Sequence, residues 1–252
     1  MVVDVEDLIL IGAGALGGAM NAMAGGGSFV TLPALIGAGV PSVVANASST
    51  VALYPGGLAS AWVYRGGLGR IAGVSMRPVL AATLAGGLVG ALLLLWTPGL
   101  LFDRVLPWLL LVATLALAFG RRVGPALRAR FQAGTATLLI IQFGLGIYGG
   151  YFGGAVGLMM MAAWNLLDGA DVKALNPART LLVSAANTIA VLCFAISGIV
   201  HWRAALLVAV GAAAGGTLGA VLGKRLPAVL VQIATVLFAA AMTVTFFLRA
   251  YR

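Results

Sequence analysis

The residues best suited to chemistry fall in two short runs, Asn46, Ser48, Ser49 and Thr50, then Asn176, Arg179 and Thr180. A glycine cluster precedes each: Gly25-Gly26-Gly27-Ser28 before the first, and Gly149-Gly150 with Gly153-Gly154 before the second. Asn21, Thr31, Ser184 and Asn187 lie nearby. Glycines that interrupt a helix leave N–H groups without partners at the positive end of the next dipole, and that combination favours an anion. Arg179 adds a permanent positive charge a turn or two inside an apolar segment, where arginine costs about 2.5–3.5 kcal/mol on insertion scales. The competing reading of Arg179 is an interface anchor that snorkels toward water. For Ser, Thr and Asn it is helix-to-helix glue worth about 0.6–2 kcal/mol per bond. On the functional reading, Gly25, Gly26, Gly27, Ser28, Asn46, Ser49 and Thr50 form one side of a site, and Gly153, Gly154, Asn176, Arg179 and Thr180 the other.

Other chemistries lack their groups. The chain has 6 acidic residues, none between Asp7 and Asp103, with one histidine and one cysteine. No Ser, Thr or Cys therefore has an identifiable base and acid, and neither an enzyme nor a cofactor is expected. Cys193 alone makes no internal disulfide and no Cys-based zinc site. His201 falls at a helix boundary, an interfacial position rather than a proton switch. With carboxylates confined to ends and loops, the usual means of binding a cation or relaying protons is missing, although Na⁺ can still use backbone carbonyls. Gly12-Ala13-Gly14-Ala15-Leu16-Gly17 spells a dinucleotide fingerprint, but inside an apolar helix and with no acid following until Asp103 it reads as helix-packing glycine. The 25–28 cluster lacks the lysine of a phosphate-binding loop.

The elements that carry these residues must lie in a membrane. Hydrophobic residues make up 62% of the chain and charged residues 8%, far below the quarter or so of a soluble domain. Mean hydropathy is +1.11. The apolar runs are long and continuous, so the spans are helices rather than alternating barrel strands. They read as 8–24, 29–38, 43–64, 71–96, 100–120, 134–149, 152–167, 174–200, 204–223 and 228–248, an all-α polytopic membrane protein with 8–10 membrane segments. Two of them, 29–38 and 152–167, are too short to cross comfortably, and both follow a glycine cluster, as broken or re-entrant helices do. The net charge of +9 sits in short loops, the distribution of the positive-inside rule rather than of a nucleic-acid binder. The acidic start, Asp4, Glu6 and Asp7, lacks the basic region of a secretory signal, and cleavage is not expected.

The chain also repeats itself. Residues 44–50 align with 174–180, Asn46 falling on Asn176, and Ala85-Gly86-Gly87-Leu88-Val89-Gly90-Ala91 aligns with Ala214-Gly215-Gly216-Thr217-Leu218-Gly219-Ala220. Residues 1–120 thus form an N-terminal transmembrane repeat, 121–132 a basic cytoplasmic connecting loop, and 133–252 a C-terminal repeat. Taking Arg65 to Arg77, Arg121 to Arg130 and Lys224-Arg225 as inside gives each half five passages. An odd number inverts the second half. Eight crossings would make the repeats parallel, and Arg249 and Arg252 fall outside against the rule.

The run Asn21-Ala22-Met23-Ala24-Gly25-Gly26-Gly27-Ser28-Phe29 leads into Leu32-Pro33-Ala34-Leu35, Val40-Pro41, Ala45-Asn46-Ala47-Ser48-Ser49-Thr50 and Leu58-Ala59-Ser60-Ala61-Trp62-Val63-Tyr64-Arg65. This pattern resembles the TauE/SafE family of sulfite and organosulfonate exporters, and with the repeat the resemblance covers nearly the whole chain. It implies an integral inner-membrane transporter of sulfur-containing anions, working by alternating access, with membrane lipid and a small anionic substrate as partners. Its glycine-rich and Asn/Ser/Thr segments map onto the two runs above. A thiosulfate-uptake branch of the wider superfamily relies on several cysteines, and a cysteine relay is not expected where only Cys193 is present. A coupling ion, H⁺ or Na⁺, and a homodimer are compatible with this reading. An anion channel, a non-transporting membrane subunit and a lipid-acting enzyme are the alternatives.

Overall fold

The computed structural model describes residues 4–64, 66, 68–128, 134–168, 172–223, 225 and 227–251. They form α1 Val5–Ala24, α2 Ser28–Gly37, α3 Ser42–Tyr64, α4 Met76–Trp96, α5 Gly99–Arg128, α6 Thr135–Tyr151, α7 Val156–Asp168, α8 Val172–Ser197, α9 Trp202–Gly223 and α10 Ala228–Tyr251. Six segments within α1, α4, α5, α8, α9 and α10 are long and apolar enough to cross a membrane. The chain is an all-α polytopic membrane protein. Of the others, α2, α6 and α7 are short, and α3 carries the polar run Asn46 to Thr50 together with Pro55.

Two expected boundaries move furthest. The span expected from 71 begins at Met76, because Ile71 and Val74 exchange backbone hydrogen bonds of 3.0 and 2.9 Å across a tight turn whose Gly73 has φ 74°. The basic segment expected as a loop from 121 is helical through Arg128, even though it contains Gly124 and Pro125. Residues 129–133, the remainder of that expected loop, lie outside those described.

Both glycine clusters do break helices. Gly25 closes α1 at φ 76° and its N–H donates to Met20 O and Asn21 O, each at 3.1 Å. Gly153 repeats the motif after α6, at φ 76° with its N–H donating to Tyr148 O at 3.3 Å. A left-handed residue that bonds five positions back is a glycine C-cap, strained for any L side chain. The chain then doubles back. Gly17 of α1 lies against Thr31 of α2, and Trp164 Nε1 of α7 donates to Gln142 Oε1 of α6 at 3.0 Å. Gln142 is fully buried and passes its own Nε2–H to Thr83 Oγ1 at 2.8 Å, tying the second hairpin to α4. With 10 residues, α2 is about 15 Å long, half the hydrocarbon thickness.

Glycine seams join the two halves. Gly14 and Gly18 of α1 press on the backbone of Val208 and Ala212 in α9, and Gly211 and Gly215 return the contact on Ile11 and Ala15. Gly86 and Gly90 of α4 meet Phe143 and Ile147 of α6 in the same way. Each pair runs parallel, since the contacting residue numbers rise together. Lipid tails are as apolar as leucine, so helix association in a membrane depends on such close backbone approach. Exchanging α1–α5 for α6–α10 turns the α1–α9 packing into α6–α4, α4–α8 into α9–α3, and α5–α7 into α10–α2, while α3–α8 and α5–α10 map onto themselves. On the α5–α10 contact, Thr114 and Thr243 hydrogen-bond each other at 3.0 Å across a separation of 129 residues.

Candidate functional site

The two hairpin turns meet α3 and α8 around one half-open cavity of about 90 Å³. A water needs roughly 10–15 Å³ on this scale, so several water-sized groups fit. The first hairpin contributes Asn21, Gly25 and Ser28, and the second Gly153, Val156 and Gly157. From α3 come Thr50, Leu53, Gly57 and Ser60, and from α8 Arg179, Thr180, Val183, Ser184 and Asn187. Thr50 and Thr180, Leu53 and Val183, and Gly57 and Asn187 are each 130 positions apart, so the cavity lies where the two halves face each other. No carboxylate is among its described lining residues.

Arg179 supplies the charge. Its stem crosses Gly157, where a Cβ would come within 3.3 Å of Arg179 Cγ, and its Nε donates to Asn176 Oδ1 at 3.0 Å. From there Nη1 reaches the other hairpin, 3.8 Å from where a Cβ of Gly25 would stand. A guanidinium stays protonated in proteins, so the cavity keeps a fixed cation and N–H donors beside the broken end of α1. The hydroxyls behave differently. Thr50 Oγ1 donates to Asn46 O at 3.0 Å, Ser60 Oγ to Gly56 O at 2.9 Å, Thr180 Oγ1 to Pro177 O at 3.0 Å, and Ser184 Oγ to Gly57 O at 2.9 Å. With their protons committed to the backbone, they turn lone pairs toward the cavity.

Of the expected site residues, the cavity brings together Gly25, Ser28, Thr50, Gly153, Arg179 and Thr180. The remaining six stand behind them. Asn46 Nδ2 donates to Tyr151 O at 2.8 Å and pins the end of α6, Ser49 Oγ shares a 2.6 Å hydrogen bond with Thr31 Oγ1, and Asn176 orients Arg179. Gly26 packs on Thr235 and Phe29, Gly27 on Gly17 and Asn21, and Gly154 under the Phe152 ring. Leu53, Gly57, Ser60, Val156, Gly157 and Val183 line the cavity without having stood out in the sequence. The helical spacing from Thr50 through Leu53 and Gly57 to Ser60 is the signal that marks them.

A polytopic fold with paired broken helices around a charged cavity defines a membrane transporter. The chain belongs to the sulfite exporter TauE/SafE family, whose model matches residues 10–246. It is 31% identical over 212 residues to the probable membrane transporter protein YfcA of Escherichia coli K12, covering 84% of this chain and 77% of that one. It is 26% identical over 241 residues to a probable membrane transporter protein of Haemophilus influenzae, covering 93% of each. A third relative, the probable membrane transporter protein ORF9 of a Sinorhizobium species, shares 27% over 206 residues, 81% of this chain and 78% of its own. No solved structure matches the chain. Six apolar helices and bacterial transporter relatives make this an integral protein of the bacterial plasma membrane.

Proposed function

We propose that the cavity binds a small sulfur-containing oxyanion, such as sulfite or an organosulfonate, and that the protein exports it by alternating access. One observation carries the reading: Arg179 reaches from α8 over Gly157 to the Gly25 turn, inside a cavity whose described lining holds no carboxylate. N–H groups at the start of α2 add donors, since hydrogen bonding there begins only with Phe29 N to Gly26 O. Two related halves in inverted topology would open the cavity to either side by exchanging conformations. An inside-negative potential favours outward movement of an anion by about 2.3 kcal/mol per charge per 100 mV, which supports export.

Counterflow of labelled sulfite in proteoliposomes tests this, with sulfoacetate, sulfate and chloride as competitors. Saturable counterflow is expected, inhibited most by sulfur oxyanions and lost in Arg179→Ala at unchanged insertion. Full counterflow in Arg179→Ala removes the site. Non-saturating current replaces the carrier by an anion channel.

A further inference from the structure

The two turns hold equivalent places in the halves and opposite polarity. Where a Cβ on Gly25 would meet Arg179 Nη1, a Cβ on Gly153 would meet three oxygens: Gly149 O at 3.5 Å, Asn187 Oδ1 at 3.8 Å and Thr50 Oγ1 at 3.8 Å. Each has spare acceptor capacity. Asn187 Oδ1 is fully buried with no hydrogen-bond partner among the described residues. Gly149 O has lost its helical donor, because Gly153 N–H turns to Tyr148 O instead. Thr50 has given its proton to Asn46 O. Buried acceptors left in this state are costly, and a bound anion cannot satisfy them.

We propose that this oxygen cluster is a monovalent-cation site, filled by Na⁺, and that its occupancy strengthens anion binding at Arg179. The site stands on the geometry alone; the linkage rests on the anion reading above. Hydroxyl, amide and backbone carbonyl oxygens are the ligands of a hard cation, and the carbonyl end of α6 adds the negative end of its dipole. The described lining offers no carboxylate or imidazole to carry a proton. An empty cavity sets Na⁺ and Arg179 against each other. An anion between them neutralises both, so each ligand raises the affinity of the other by the same factor. Occupancy of this pole governs affinity and leaves direction to the gradients across the membrane.

Thermal unfolding of the full-length protein in nanodiscs tests the site without any anion substrate, comparing NaCl with choline chloride at equal ionic strength. Wild type is expected to melt several degrees higher in NaCl. Asn187→Ala should lose that difference, and Asn187→Asp, which places a carboxylate at the same point, should respond at lower Na⁺ concentration. Calorimetry with sulfite should then show binding at least tenfold tighter in Na⁺ than in choline for wild type, and no such difference for Asn187→Ala. Equal melting in the two salts, or a Na⁺ response that survives in Asn187→Ala, overturns the cation site even where sulfite binds. A Na⁺ response with no sulfite binding upholds the site and sinks the anion reading and the linkage.

Discussion

Ser49 and Arg179 occupy equivalent positions 130 residues apart, and their neighbours explain why only one became a charge in the cavity. Ser49 is held by Thr31, which passes its own proton to Gly27 O at 3.2 Å. At the position matching Thr31 the second half has Met159, and where the first half has Phe29 the second has Gly157. The missing ring leaves a channel for the Arg179 stem, and Asn176 fixes its Nε. Replacing Arg179 by Ala removes charge-assisted hydrogen bonds worth about 1.5–3 kcal/mol, so sulfite affinity should fall roughly 10- to 100-fold by calorimetry. Arg179→Lys should fall between, because an ammonium cannot hold Asn176 and the anion in one planar fork. Gly157→Val keeps the charge but displaces its stem, and counterflow should drop while detergent-extracted yield stays near wild type. Arg179 was legible in the sequence as a cation in an apolar run. Asn187 was visible only as a nearby polar residue, because the oxygens it faces come from positions 149 and 50, remote in sequence.

At the scale of helices, the glycines divide into those that turn the chain and those that let helices touch. Gly215 is of the second kind, since a Cβ there would run into the backbone of Ala15 in α1. Gly215→Val should therefore separate α1 from α9 and cost about 1–3 kcal/mol or more of stability, read as a lower melting temperature in detergent. Gly12, also in α1 but with open space beside it, serves as the control, and Gly12→Ala should leave melting unchanged or raise it. The second hairpin has a polar lock instead. Gln142→Leu would strand the buried Trp164 Nε1–H and release Thr83, so α7 should loosen from α6 at a cost of about 1–3 kcal/mol. The sequence marked both hairpins because each glycine cluster coincided with a shortened apolar run. It did not mark which faces of α3 and α8 turn inward, since a membrane helix can be apolar on both its lipid and its protein side. The bound of α4 slipped for a local reason, a tight turn at Gly73, and α5 runs on past its apolar stretch into basic residues that hydropathy alone assigns to a loop.

For the whole molecule, the orientation of the halves follows from the number of passages. α1 runs parallel to α9 and α4 parallel to α6. Ten alternating passages produce that parallelism, because the first and ninth share a direction, as do the fourth and sixth; eight passages, with α2 and α7 left out of the count, produce it equally, whereas only ten invert the halves. The same count puts the loop between α3 and α4 inside, with exposed Arg70 and Arg77, and its counterpart between α8 and α9 outside, with His201. It also gives Arg249 a reason to break the charge rule, since it shares a shallow cleft with Asp103 at the start of α5. With Cys193 as the only native thiol, a Cys193→Ala background is blank to maleimides. Ser75→Cys, just before α4, and Ser197→Cys, at the end of α8, then sit at exposed positions bordering the two equivalent loops. A membrane-impermeant maleimide added to intact cells should label Ser197→Cys and leave Ser75→Cys untouched until the membrane is opened. Labelling of both from one side would make the repeats parallel, and the two broken helices would no longer approach the cavity from opposite faces as alternating access requires.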